Sequence, residues 1–260
     1  MYSSKGSSRS DAGVSEAIGF VIIFTIIITG IGLVTLYGYP VLLQQQSTAN
    51  VQVMEKNMIV LQNDLKGLSY NMDPYSETSM NIGGGTLTVY NASYSLSPAT
   101  FKVICNGITV IPSNSTGKMQ YQSVDAQTNI ALENGAVVMR MTTINGSSML
   151  AAPRWFYDST TNTAALYLIS FNTTSLISRS GIGTVSMARG YSNYSSIQVP
   201  QGTVCTVSYT PDPTSDYSVA WNTYFSNGMG LAQSSPGVYT LLTGPGQIVV
   251  YQDQINVLSV

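Results

Sequence analysis

No charged side chain occurs between Glu16 and Glu55, and within that gap residues 17–39 read AIGFVIIFTIIITGIGLVTLYGY. As a helix rising about 1.5 Å per residue, this run spans roughly 35 Å, enough to cross a hydrocarbon core of about 30 Å. A water-soluble core helix of that length needs a polar face, and this run has none. The sequence therefore predicts a transmembrane helix. Lys5 and Arg9 precede it and the next cation is Lys56. Cations favour the cytoplasmic side, so residues 1–16 are expected inside and everything beyond about residue 40 outside. Tyr37 and Tyr39 then fall at the outer interface. Pro40 lacks a donor N–H and is expected to kink or break the helix as it leaves the bilayer.

The rest of the chain matches an outside location. Charged residues make up 8% of the 260 positions, against about 25% in ordinary soluble proteins. Ser (34) and Thr (26) fill the gap, so the surface must be largely neutral hydroxyl, amide and Tyr. With no His in the chain, Ser-His-Asp and Cys-His catalysis and imidazole metal sites are excluded. Two Cys a hundred positions apart make neither a zinc knuckle nor a CxxC redox pair. Ten Lys and Arg spread thinly make no stripe for nucleic acid. The composition points to a protein that is not an enzyme and carries no cofactor and no resident metal.

Beyond the span, Val51, Met54, Met58, Leu61, Leu65 and Leu68 recur at steps of three and four, the apolar stripe of a helix over 44–72. The run is too short to argue a coiled coil. Two uses are open: packing on the protein's own downstream domain, or a subunit contact prolonging the membrane helix. Gly67 and residues 71–74 are expected to end it. From about residue 78 the period changes to two, with Leu87 and Val89 on one strand face. Asn106-Gly107 and Asn134-Gly135, each between β-rich runs, are favoured hairpin turns. Residues 154–171 offer two strands around a polar turn, and residues 202–210 alternate again. Residues 238–252 read as a hairpin across Gly244-Pro245-Gly246. The expected fold is α+β: a long N-terminal helix, then eight to ten short strands in an antiparallel sheet or sandwich over 78–260. One short helix is expected over 215–226, with Ser215 as N-cap and Tyr217, Trp221, Tyr224 and Phe225 on its core face.

Cys105 and Cys205 fall in two of these strands, and a disulfide and two buried thiols fit the sequence equally. Five N-x-S/T sequons begin at Asn91, Asn114, Asn145, Asn172 and Asn193, about the number that chance supplies. Asn114 and Asn172 read as the best placed, in polar turns. Asp212 and Asp216 are either calcium ligands or, more simply, turn and cap residues.

A polar leader, MYSSKGSSRSDAG, followed by VSEAIGFVIIF resembles the class III signal of archaeal type IV pilins. The apolar run exceeds the usual 7–15 residues of a secretory signal and no A-x-A site follows it. The resemblance implies cleavage on the cytoplasmic side by a prepilin-peptidase-like protease, with Gly13 last in the leader (1–13) and Val14 first in the mature chain. The helix over 14–43 then stays on the protein. Bacterial pilins carry a glutamate at mature position five, whereas Glu16 is third here. Two readings of Glu16 stay open: pairing with a neighbour's N-terminal amine during assembly, or a solvated place at the interface. VSEAIGF, the stripe helix, GGGTL at 83–87, ENGAV at 133–137 and WNTYF at 221–225 also resemble an uncharacterised haloarchaeal and methanogen family that joins a pilin-like N-terminus to a β-rich domain. The resemblance makes N-glycosylation at the cell surface an expectation. The function expected is a structural subunit of a surface filament, homo-oligomeric and membrane-inserted before assembly. The alternative is a monomeric anchored binding protein.

Overall fold

A computed structural model of the chain describes residues 10–92 and 99–260, with the side chains of 10–15 and 112–114 outside that description. The chain parts between Gln46 and Ser47 into two compact units. Residues 1–9 of the leader expected at 1–13 lie outside the described residues.

Two α-helices, α1 (Ser10–Leu33) and α2 (Tyr39–Tyr70), are separated by one π-helical turn, Val34–Gly38. Pro40 does not end the helix; it is the second residue of α2. A proline ring clashes with the carbonyl four residues back and offers it no N–H. The preceding turn is widened instead, with the Tyr39 N–H donating to the Val34 carbonyl five residues back. The helix ends at Tyr70. There the Gly67 carbonyl accepts from the Asn71 and Asp73 N–H groups at 3.0 and 3.2 Å, and Met72 takes the left-handed conformation, φ 62°.

In chain order the strands are β1 (Tyr75–Tyr90), β2 (Thr100–Cys105), β3 (Ile108–Ser115), β4 (Lys118–Ser123), β5 (Thr128–Glu133), β6 (Ala136–Met141), β7 (Ser148–Ala151), β8 (Phe156–Asp158), β9 (Thr163–Asn172), β10 (Ile177–Val199) and β11 (Val204–Thr210). After α3 (Ser218–Thr223) come β12 (Gln233–Ser235), β13 (Val238–Thr243) and β14 (Gly246–Ser259). They form a nine-stranded sheet, β7-β6-β5-β4-β1-β10-β14-β9-β8, and a five-stranded sheet, β12-β13-β11-β2-β3. All pairs are antiparallel except β9–β14, which is parallel.

The unit beginning at Ser47 is layered helix on sheet on sheet. The stripe Val51, Met54, Met58, Leu61, Leu65 and Leu68 is buried on one face of the nine-stranded sheet, against Leu87, Val89, Met119, Ile130, Leu132 and Phe171. Helical and strand periods thus meet with one apolar face each. The opposite face packs Ala131, Val138, Leu166 and Ile248 against Phe101, Val207, Tyr209 and Trp221 of the second layer. A central strand such as β5 is covered on both sides, and all six of its residues are buried. Gln62 joins α2 to the sheet, its Nε2 donating to the Gly135 and Ala152 carbonyls at 2.7 and 2.9 Å.

Asn106-Gly107 and Asn134-Gly135 are hairpin turns with positive φ at both positions, as a type I′ turn requires. GGGTL marks the place where β1 bulges: residues 75–82 pair with β10, that pairing resumes in a shifted register at Leu87, and pairing with β4 begins at Thr86. A Cβ on Gly85 would stand 2.4 Å from the Gln122 carbonyl oxygen, so only glycine fits.

Among the described residues the strands number fourteen rather than eight to ten, and β1 and β10 run to 16 and 23 residues. Two further expectations about local structure also change. Gly244-Pro245-Gly246 is not a hairpin: β13 belongs to the five-stranded sheet and β14 to the nine-stranded one, so the chain crosses between layers. Gly244 makes that crossing against the Pro200 carbonyl, where a Cβ would be 1.9 Å away. The short helix begins at Ser218 rather than 215 and ends in a π turn, Tyr224–Gly228. Ser215 is held instead by its N–H to the Asp212 carbonyl at 3.0 Å. Tyr217, Trp221 and Phe225 are fully buried as expected.

Candidate functional site

The N-terminal unit presents one kind of surface. Ile18, Phe20, Ile23, Ile26, Val34 and Leu36 are each more than half exposed, far beyond the apolar patches of soluble monomers. Its hydroxyls are turned inward: Thr25 and Thr35 donate to the Val21 and Ile31 carbonyls at 2.7 and 2.9 Å. Those two hydroxyls are thereby satisfied without water. One helix among the described residues, Glu16–Tyr70, is long and apolar enough to cross a membrane, and none of its most apolar stretch is buried. Glu16 is exposed. Gly13 and Val14 lie on the first turns of α1, their side chains outside the described residues.

In the second unit, Cys105 on β2 and Cys205 on β11 face one another in register. They form a disulfide with Cα atoms 4.0 Å apart, a sequence separation of 100. Closing a loop of that length is worth about 4.7 kcal/mol in the chain-entropy account.

The sequons divide. Asn91 is buried, its Nδ2 donating to Asn172 Oδ1 and the Thr173 carbonyl at 3.1 and 2.9 Å. Its amide nitrogen is not open to a glycan in the folded chain. Asn172, expected in a turn, is the half-buried last residue of β9, donating to Asn256 Oδ1 at 2.9 Å. Asn114, also expected in a turn, lies in β3, its side chain outside the described residues. Asn145, in a turn, and Asn193, on β10, are exposed.

Between the layers lies a constellation the sequence reading missed. Lys118 opens β4, and Glu133 closes β5 one residue beyond the Met119–Leu132 pair. Both point to the inter-sheet side, as Ala131 does. Asp212 follows β11 of the other sheet. Lys118 Nζ donates to Asp212 Oδ2 at 2.9 Å, with both side chains under a tenth exposed. Asp212 Oδ1 accepts from the Thr214 N–H and hydroxyl, each at 2.8 Å. Glu133 is fully buried, and its Oε1 accepts from Tyr209 Oη and Trp221 Nε1, each at 2.9 Å. Its Oε2 accepts no hydrogen bond from the described residues. Lys118, Glu133 and Asp212 line one cavity of 10 Å³, about one water's worth.

Burial pushes the Glu133 carboxyl up to about 7, partly offset by the Lys118 charge and by the Tyr209 and Trp221 donors. Burial also works to raise Asp212, but the hydrogen bonds from Lys118 and Thr214 hold it below the usual carboxylate range. Asp216 accepts from the Ser218 N–H at 2.7 Å. Both aspartates are thus turn and cap residues, and no group of three potential metal ligands occurs among the described residues. The signal that could have found the cluster is the single carboxylate of NIALE, Glu133, at the end of a strand with no other charge.

No curated protein and no solved structure matches the chain. The model of a family of unknown function, DUF7289, matches residues 12–254, from the first turns of α1 to within β14. The apolar helix and the layered β-rich unit are therefore parts of one family pattern, and the chain belongs to the DUF7289 family.

Proposed function

We propose that this chain is a structural subunit of an archaeal type-IV-pilus-like surface filament. A peptidase on the cytoplasmic side removes residues 1–13, and the helix from Val14 onward holds the protein in the membrane until assembly. The layered unit from Ser47 faces outward with its neutral, hydroxyl-rich surface. The observation that carries this reading is the apolar helix, exposed along its length; the resemblance of the leader sequence to the pilin type supports it. Assembly exchanges lipid for neighbouring helices, and the small residues Thr25, Gly30, Gly32 and Thr35 let backbones approach. Glu16 then offers its carboxylate to the amine of Val14 on a neighbour, two groups too costly to bury apart. The protein acts by packing and has no catalytic role.

N-terminal sequencing of material sheared from cells tests the reading. A chain starting at Val14 is expected. An intact Met1 that remains with the membrane would overturn it in favour of a monomeric anchored binding protein.

A further inference from the structure

We propose that Lys118 and Asp212 join through an amide bond between Nζ and Cγ, formed within the folded chain with Glu133 as proton relay. The inference does not depend on the filament reading, because it uses only residues of the unit beginning at Ser47.

The reacting groups are already placed. Nζ stands 2.9 Å from Oδ2 of the carboxyl group whose Cγ it attacks, so the two groups meet without an encounter step. Lys118 is held there by the ring of Tyr90, 5.4 Å from Nζ to the centroid. Charges as buried as these are costly even when paired, and condensation removes both. An ammonium and a carboxylate give one neutral amide and one water, with no oxidant or co-reactant.

The steps balance locally. Nζ gives up a proton, which Glu133 relays to Oδ2; the Nζ lone pair then attacks Cγ of the neutral carboxyl, and the C–O π pair moves to Oδ1. The Thr214 N–H and hydroxyl, both 2.8 Å from Oδ1, stabilise the oxygen charge that develops there. Oδ2, protonated twice, leaves as water while the Oδ1 pair re-forms the carbonyl. The protons lost by Nζ are those gained by Oδ2. Glu133 lines the same cavity with Oε2 accepting no hydrogen bond among the described residues, and a carboxyl raised to about 7 both gives and takes a proton at neutral pH. A cavity of one water's size lets that transfer run through a single bridging molecule. The finished bond ties β4 of the nine-stranded sheet to the segment after β11 of the five-stranded sheet. The two layers then share a covalent link that reduction does not open.

The test is the mass of the full chain, purified in detergent, reduced and alkylated so that the disulfide does not contribute. One water less than the sequence requires is expected, with trypsin failing to cut after Lys118 and one branched peptide joining the Lys118 and Asp212 segments. Lys118→Met and Asp212→Ala should each restore the full mass. Glu133→Gln keeps the shape and the Oε1 acceptor, and should slow bond formation by about 100-fold or more while leaving near-ultraviolet circular dichroism native. Glu133→Asp should recover part of the rate. A wild-type chain at full mass overturns the proposal, as does a folded Glu133→Gln chain that bonds as fast as wild type.

Discussion

The two units bury apolar residues under opposite rules. In Ser47–Val260 every large apolar side chain of the α2 stripe finds a partner inside the chain: Met54, Met58, Leu61, Leu65 and Leu68 have no solvent exposure. In the first unit Ile, Phe and Val are at least as dense, yet Phe20, Ile26 and Leu36 are 69%, 66% and 71% exposed. The difference lies in the pattern. A stripe with polar flanks commits a helix to one sheet, whereas an apolar surface all round commits it to a solvent of lipid or of like helices. Hydrophobicity alone therefore does not say what is core.

That contrast breaks most visibly on deletion. Removing residues 1–46 should move the protein completely from the membrane fraction to the supernatant with its β-sheet circular dichroism intact. Aggregation of the shortened chain would show that the second unit leans on the first. Next in size is the disulfide. Cys105→Ala with Cys205→Ala should cost about 4–5 kcal/mol in denaturant unfolding, with no effect on membrane partition. Leu65→Ala should cost about 2–5 kcal/mol by emptying the centre of the helix–sheet layer. Ile26→Ala, at a residue 66% exposed on α1, should leave unfolding of the second unit unchanged.

A pH dependence adds a further test. Glu133 is raised from 4.5 to about 7, so the native state keeps its proton where the unfolded chain has already released it. Its contribution is full below about pH 4.5 and is lost as pH rises through 7, a span worth about 3 kcal/mol. Unfolding free energies measured from pH 4 to 8 should show this fall in wild type and not in Glu133→Gln. Loss of the proposed amide in that variant shifts its curve as a whole and does not restore the slope.

Where the sequence could be read, the signal was local and periodic. The spacing from Val51 to Leu68 marked the stripe because a helix face is written in steps of three and four. Asn106-Gly107 and Asn134-Gly135 marked hairpins because few other residues accept two positive φ angles. What escaped was non-local. Residues 238–252 look like any hairpin, and nothing local says that β13 and β14 belong to different sheets. The start of α3 moved because Ser215 found a backbone partner at Asp212. Pro40 misled because a π turn absorbs the missing donor. Lys118, Glu133 and Asp212 lie 15 to 94 positions apart in pairs, and only the layering of the two sheets brings them together. Asn91 likewise shows that a sequon says nothing about burial.

The central claim is that the helix following Val14 leaves lipid for the company of its own kind. Sedimentation of material sheared from cells without detergent tests it most directly. The account predicts large assemblies containing the intact helix, which pellet at high speed and fall to monomers once detergent is added. Release only as monomers cut beyond the helix, or retention of the whole chain in the membrane, would contradict it.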